Sequence, residues 1–222
     1  MSSDSPLQRV RGAAMRLKVF PLPSVVLFPG SAAPLHIFEP RYRAMVKDAL
    51  DTDSVFALAQ LQDGWETNYL GKPALMPMLC AGIITQPEQL PEGRYNLMLA
   101  GLTRARVIRE LESTRDYREV EAEVLEDARF EGPEEAMVRQ ALVGLTQRVP
   151  EQVAARLSKV TAKVHGGHLA DVVASAVVND TAERYALLCE LDVKRRLEKV
   201  LESISNLVVQ LSPKGDTPEY KN

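Results

Sequence analysis

Residues 20–48 read FPLPSVVLFPGSAAPLHIFEPRYRAMVKD, and the reading of the whole chain grows out of this stretch. Pro21 and Pro23 cannot donate to a ladder, so the text predicts no regular central strand there. Val25–Phe28 is a short apolar run, Pro29-Gly30 is a turn signal, and Leu35–Phe38 is a candidate strand. The period then changes. Pro40 suits a first helical position, where its missing N–H would be unpaired anyway. Tyr42, Met45, Val46, Ala49 and Leu50 recur at helical spacing, with Arg41, Arg43, Lys47 and Asp48 on the other face.

Upstream, Leu17 and Val19 alternate with Arg16 and Lys18, the period of a strand with one buried face. The first 14 residues are polar and unpatterned and read as a flexible lead. Downstream come candidate strands at Val55–Leu61, Leu75–Gln86, Arg94–Ala100, Arg104–Leu111 and Tyr117–Leu125. Turn material separates them, including Asp63-Gly64, Pro91-Glu92-Gly93 and Gly101. Many short strands at this spacing predict a small barrel or sandwich, not a parallel sheet. At Gly132-Pro133 the period switches to helical. Helices are expected over Pro133–Val149, Glu151–His165, Leu169–Val178 and Thr181–Glu190, broken at Pro150, Gly166-Gly167 and Asn179-Asp180. The last helix is capped by Asp192. Val193, Leu197, Val200, Leu201, Ile204, Leu207, Val208 and Leu211 give it one apolar stripe. The fold class is therefore α+β, with a β-rich subdomain over 15–130, a helical bundle over 131–211, and flexible termini at 1–14 and 212–222.

Charge and motifs narrow the function classes. The formal charge of −3 and pI near 5.7 are not the basic footprint of a nucleic-acid binder. Cys80 and Cys189 are far apart, outside any CxxC, and in apolar text. They read as buried, inert thiols rather than a disulfide framework. The longest apolar stretches, such as Met76–Ile84, fall short of the ~18 residues of a membrane span. The N-terminus has no apolar signal core, so a cytoplasmic protein is expected. No GxxxxGK[ST], GxGxxG or GxSxG motif is present. His165 and His168 in HGGH have a spacing that could face a metal, but zinc requires further ligands and no cysteine is near. The two glycines more simply mark a helix break. The expectation is a non-enzyme with no cofactor, no metal and no catalytic residue.

The aromatics Phe28, Phe38, Tyr42, Trp65 and Tyr69 sit at strand ends, turns or helix starts. Such residues mostly complete a core; the alternative is that one or two line a recognition groove. Phe28, Phe38, Tyr42 and Trp65 are the candidate peptide-binding residues.

The segment Phe20–Asp48 resembles the opening of the Lon protease N-terminal (substrate-binding) domain. The shared pattern is a strand, a VVLFPG turn, an apolar PL strand and a helix opening at EPRYR. The HIFEPRYR form is closer to free-standing bacterial members of the family than to the protease itself. Gly93-Arg94-Tyr95-Asn96-Leu97 through Gly101, with Arg104 to Arg106, is similar to the family's hairpin. Leu191–Leu201 (LDVKRRLEKVL) is similar to its closing helix. The resemblance spans about Met15 to Leu211. It implies a PUA-like pseudo-barrel followed by a helical bundle. It also implies recognition of unfolded or extended polypeptide, with a role as an adaptor in protein quality control, and no proteolysis, because neither the ATPase nor the peptidase segment occurs in these residues. No membrane partner is expected. An RNA-binding protein of PUA-like fold, which rests on fold analogy alone, and an enzyme with an unrecognised site are the rival readings.

Overall fold

The computed structural model describes residues 5–68, 71–112 and 114–212. Tyr69 and the tail beyond Ser212 lie outside the described residues. The chain divides into two compact units. One comprises 1–127 with 179–191, the other 128–178 with 192–222.

The first unit is built on six strands: β1 Leu17–Leu22, β2 Ala32–Ile37, β3 Val55–Leu61, β4 Leu75–Gln89, β5 Tyr95–Glu110 and β6 Arg118–Leu125. Their order is β2-β5-β4-β3-β1-β6, and a further β5–β6 pairing closes β5, β4, β3, β1 and β6 into a five-stranded barrel. The expected α+β fold, a β pseudo-barrel with helices after it in the sequence, is what the chain adopts. The barrel interior is narrow, and the sequence answers with small side chains. Ala57, Ala59, Ala81, Ala105 and Ala122 share one core with Val19, Val55, Leu79 and Val120. Small residues let facing strands close where larger ones would hold them apart.

The 14-residue lead is not a loose end throughout. Pro6–Ala13 forms helix α1. Ser5 accepts from the Gln8 N–H and donates its own N–H to the Gln8 side chain, a capping box with Pro6 in the first turn. Val10, fully buried, belongs to the barrel core. The expectation of a flexible lead missed it because one buried valine and one buried alanine in an eight-residue helix make no visible period.

Pro21 does lie in a strand. β1 pairs in parallel with β3 over Val19–Leu22, but with β6 only over Leu17–Val19. Beyond Val19 one side of β1 is therefore unpaired, and a missing donor is tolerated there. Gly101 does not end a strand either, since β5 runs through it. A Cβ at Gly101 would lie 2.3 Å from the Phe28 carbonyl oxygen. Glycine is needed for this close approach, where Gly30 donates to the Gly101 carbonyl and Gly101 to that of Ser31. Gly30 itself, at φ 77°, makes the turn that brings the segment there.

Helix α2, Pro40–Leu50, buries Tyr42, Met45, Val46 and Ala49 as its spacing predicts. Helix α6, Thr181–Cys189, belongs to the barrel unit and not with the other late helices, although the boundary near 130 read from the sequence grouped it with them. Three side chains explain the attachment. Arg104, 2% exposed, donates from Nε to the Leu188 carbonyl (2.8 Å) at the helix end. The Tyr185 hydroxyl accepts from the Met78 N–H on β4 (2.8 Å). Arg184 donates to the Val26 carbonyl (2.9 Å) and lies 5.4 Å from the Phe28 ring centroid.

The second unit holds α3 Glu134–Thr146, α4 Glu151–Thr161, α5 Gly166–Val177 and α7 Val193–Leu211. Val138, Leu142 and Leu145 of α3, Leu169 and Val173 of α5, and Val193, Leu197, Val200 and Ile204 of α7 are buried. The outer part of the expected α7 stripe is half-buried at Leu201, Leu207 and Val208, and exposed at Leu211. Arg196 and Asp171, both fully buried, form an ion pair between α7 and α5 (3.1 Å). Gly166-Gly167 opens α5 rather than merely breaking a helix. The Gly166 N–H donates to Glu135 Oε2 (2.8 Å), and Arg139 and His165 donate to Oε1 (2.9 and 2.8 Å). A carboxylate from α3 thus satisfies an orphan N–H at the N-terminus of α5. Burial of Glu135 opposes its ionisation. The bonds from Gly166, Arg139 and His165 outweigh that and hold its pKa at about 2.

Candidate functional site

Among the described residues β2 has one strand neighbour, β5, which it meets antiparallel with Pro34 opposite Met98 and His36 opposite Asn96. It stands at the end of the strand order, outside the closed barrel. An edge strand presents unpaired backbone groups, and Pro34 is allowed there because an edge has fewer donors to lose. Ala32, Pro34 and His36 are exposed, and Ile37 is buried. That alternation is the two-residue period of a strand with one wet face.

The wet face continues across β5 onto the second half of β4. His36 donates from Nδ1 to Asn96 Oδ1 (2.7 Å), and the Asn96 amide donates to Glu88 Oε2 (3.2 Å). This polar row crosses three strands and fixes the imidazole. A bulge in β4 between Thr85 and Glu88, with Gln86 at φ 50°, breaks the register beside it. The result is an open groove of about 410 Å³, lined by Pro34, His36, Gln86, Glu88, Asn96 and Met98 among others. At the end of β2, Phe38 is 60% exposed and stacks on His36, with ring centroids 6.0 Å apart.

Of the four aromatics read as candidate binding residues, Phe38 alone stands at this surface. Phe28 is fully buried and Tyr42 is 5% exposed, which corrects their reading as groove residues. Phe28 lies beneath the Arg184 guanidinium. Tyr42 packs against Phe20 at 4.5 Å, with Arg41 over its ring. Both stabilise the unit from inside. Trp65, half-buried, stands in a short turn, Trp65–Asn68, between β3 and β4, at the opposite end of β4 from the groove. Sequence reading missed Asn96, Glu88 and Met98. Their signal was the alternation along β5 and β4, which shows which residues face outward but not which strand lies beside which.

The remaining chemistry is sparse. Among the described residues no group of three or more His, Cys, Asp or Glu is placed to hold a metal. Cys80 is buried, whereas Cys189 is half-buried and hydrogen-bonded with Tyr185. Burial raises the Tyr185 pKa first, and the Cys189 bond adds to it. None of the described helices is long and apolar enough to cross a membrane.

The fold and sequence have clear relatives. Lon protease 2 of Myxococcus xanthus is 31% identical over 208 residues, which cover 90% of this chain and 25% of that protein. The chain thus spans about a quarter of the length of the curated relatives it matches. Two solved structures share the fold. The Lon N-terminal domain protein from Xanthomonas campestris has a TM-score of 0.62 at 24% identity, covering 84% of this chain and 97% of that one. The N-terminal domain of Mycobacterium avium complex Lon protease has a TM-score of 0.67 at 18% identity, covering 86% and 98%. Residues 16–206 match the family model of the ATP-dependent protease La (LON) substrate-binding domain, and the chain belongs to that family.

Proposed function

We propose that this chain is a non-catalytic recognition module that binds extended, partly apolar polypeptide along the open edge of β2, and that it serves as an adaptor in cytoplasmic protein quality control. The observation that carries the reading is the combination at β2: an edge strand with one partner, an exposed Phe38 at its end, and a groove on its wet face. A peptide that adds to such an edge gains main-chain hydrogen bonds, and its alternate side chains meet the surface beside it. The hydrogen bonds among His36, Asn96 and Glu88 already tie these side chains to one another, which lowers the ordering cost of binding. The family's designation as a substrate-binding domain supports the same reading.

The test is fluorescence anisotropy of a labelled, permanently unfolded polypeptide, reduced and carboxymethylated α-lactalbumin, titrated with the purified chain. Binding in the micromolar to hundred-micromolar range is expected. Phe38→Ala should weaken it several-fold and lower the melting temperature by no more than about 4 °C. Absence of binding across that range would end the proposal.

A further inference from the structure

The open edge of β2 is interrupted at its centre. Gly101 donates to the Ser31 carbonyl and accepts from the Gly30 N–H, so β5 faces this segment through its hydrogen bonds at Gly101. Along an antiparallel pair such positions alternate with ones whose N–H and C=O point away from the partner. Counted along the register from there, Ala33, Leu35 and Ile37 turn their backbone groups to β5, and Ala32, Pro34 and His36 turn theirs to the open side. Two side chains agree with this count. Thr85 on β4 donates from Oγ1 to the Met98 carbonyl (3.2 Å), so that carbonyl faces β4 and not Pro34. His36 and Asn96, bonded at 2.7 Å, stand in the kind of pair that brings side chains closest. Among the described residues no group bonds the outward N–H and C=O groups of these three.

Proline has no N–H, and its ring carbon occupies the place of that hydrogen. A strand laid along the whole edge would set a carbonyl against the Pro34 ring, with no donor to meet it. This holds for parallel and antiparallel addition alike, because both ladders use that N–H. A second copy is excluded more strongly, since two β2 strands paired in full about a two-fold axis set Pro34 against Pro34. At the other end Pro40 opens α2 and closes the extended stretch. Between the two prolines, His36 offers an outward N–H and C=O together, and the exposed His36 and Phe38 rings stack beside them. Resting on the reading of β2 as a polypeptide-binding edge, we propose that Pro34 determines its specificity. It bars long strands, a second β2 included, and admits a short extended segment that pairs with His36 and lays an apolar side chain beside the two rings. The residue that donates to the His36 carbonyl must carry an N–H, so proline is excluded there.

The test titrates the full chain into labelled, carboxymethylated α-lactalbumin and follows self-association by sedimentation velocity. Pro34→Val and Pro34→Ala restore the missing donor, valine with a side chain that favours strands. Each should tighten binding by about threefold to tenfold, the order of one main-chain hydrogen bond. Each should also form more dimer than the wild type at equal concentration, with the circular dichroism spectrum unchanged. Ala32→Pro removes an outward donor on the far side of Pro34 and should leave binding as it is. Wild-type binding that Phe38→Ala weakens, with both Pro34 variants unaltered in affinity and association, overturns the role of Pro34 and leaves the β2 reading standing. Loss of binding in a folded Ala32→Pro chain overturns it too, because the polypeptide then crosses Pro34. Absence of wild-type binding defeats the β2 reading and this proposal with it.

Discussion

Phe28 and Phe38 lie ten residues apart in one apolar stretch, and their environments assign them opposite roles. Phe28 is fully buried beneath Arg184. Truncating it to alanine removes a ring from a buried site whose cover, the Arg184 guanidinium, is itself held by the Val26 carbonyl, and whose own backbone is held against Gly101. Collapse around the hole is therefore restricted, and the loss should reach ~3–5 kcal/mol. For a chain of this size each kcal/mol moves Tm by about 2–4 °C, so Phe28→Ala should melt roughly 6–20 °C lower. Phe38 is 60% exposed. Complete burial of such a side chain is worth about 1.5–3 kcal/mol, and less than half of it is buried, so Phe38→Ala should cost about 1 kcal/mol or less. Chemical denaturation of both variants, followed by anisotropy with the unfolded polypeptide, separates the roles. Phe28→Ala should bind normally at temperatures where it stays folded, and Phe38→Ala should be stable and bind weakly. A Phe38→Ala protein destabilised by more than ~2 kcal/mol with binding intact, or a Phe28→Ala protein of unchanged stability, would refute the assignment.

Three further outcomes follow from the packing. Gly101→Ala places a methyl 2.3 Å from the Phe28 carbonyl oxygen and 3.1 Å from Cys80 Sγ; overpacking of this kind should cost ~1–3 kcal/mol or more, read by urea denaturation. The Glu135 carboxyl is depressed to about 2 from the usual range near 4.3, so its contribution is complete above about pH 4.5 and is lost as pH falls towards 2. Glu135→Gln should remove about 1–3 kcal/mol at neutral pH, since its side chain is 22% exposed and partly screened, and should flatten the acid-denaturation profile in that window; an identical profile would contradict the cap at Gly166. Removal of the chain from Asp192 onward takes away four buried apolar α7 side chains, worth ~6–12 kcal/mol gross, and leaves Asp171 buried without Arg196; helical circular dichroism should fall by more than the α7 residues alone account for.

The parts of this fold legible in the sequence are those whose signal is local. Alternation predicted β6 and the start of β1, the apolar run bounded by turn residues predicted β3, and the helical period with Pro40 in front predicted α2. Asp192 caps α7 by accepting from the Arg195 N–H (3.1 Å), as its position suggested. What failed depends on neighbours remote in sequence. Gly101 reads as a turn until Phe28 is seen against it. Pro21 reads as a strand breaker until the β6 pairing is seen to stop at Val19. The place of α6 rests on Arg104 and Tyr185, whose partners are 84 and 107 residues away, a separation no period reports. The site divides in the same way. The outward phase of Pro34 and His36 is visible in the text, but the row from His36 through Asn96 to Glu88 exists only once three strands are laid side by side.

The wall of the barrel also bears on what this surface can recognise. β5 carries Arg104, Arg106 and Arg109 and β6 carries Arg118, and as bare sequence these would suit a phosphate backbone. The strand register spends those cations internally. Arg106 meets Glu123 at 2.9 Å, Arg109 meets Glu121 at 2.7 Å, and Arg118 meets Glu110 at 2.6 Å. Partly exposed pairs like these add little stability, about 0–1 kcal/mol each. Their consequence is electrostatic, because a phosphate must displace a carboxylate before it can bind, and counterion release then yields less. The β2 face presents a different surface, with one carboxylate already bonded to Asn96, a proline, a methionine and an exposed phenylalanine. On the proposed reading such a surface would discriminate by shape, apolar contact and backbone pairing, which an extended polypeptide offers together.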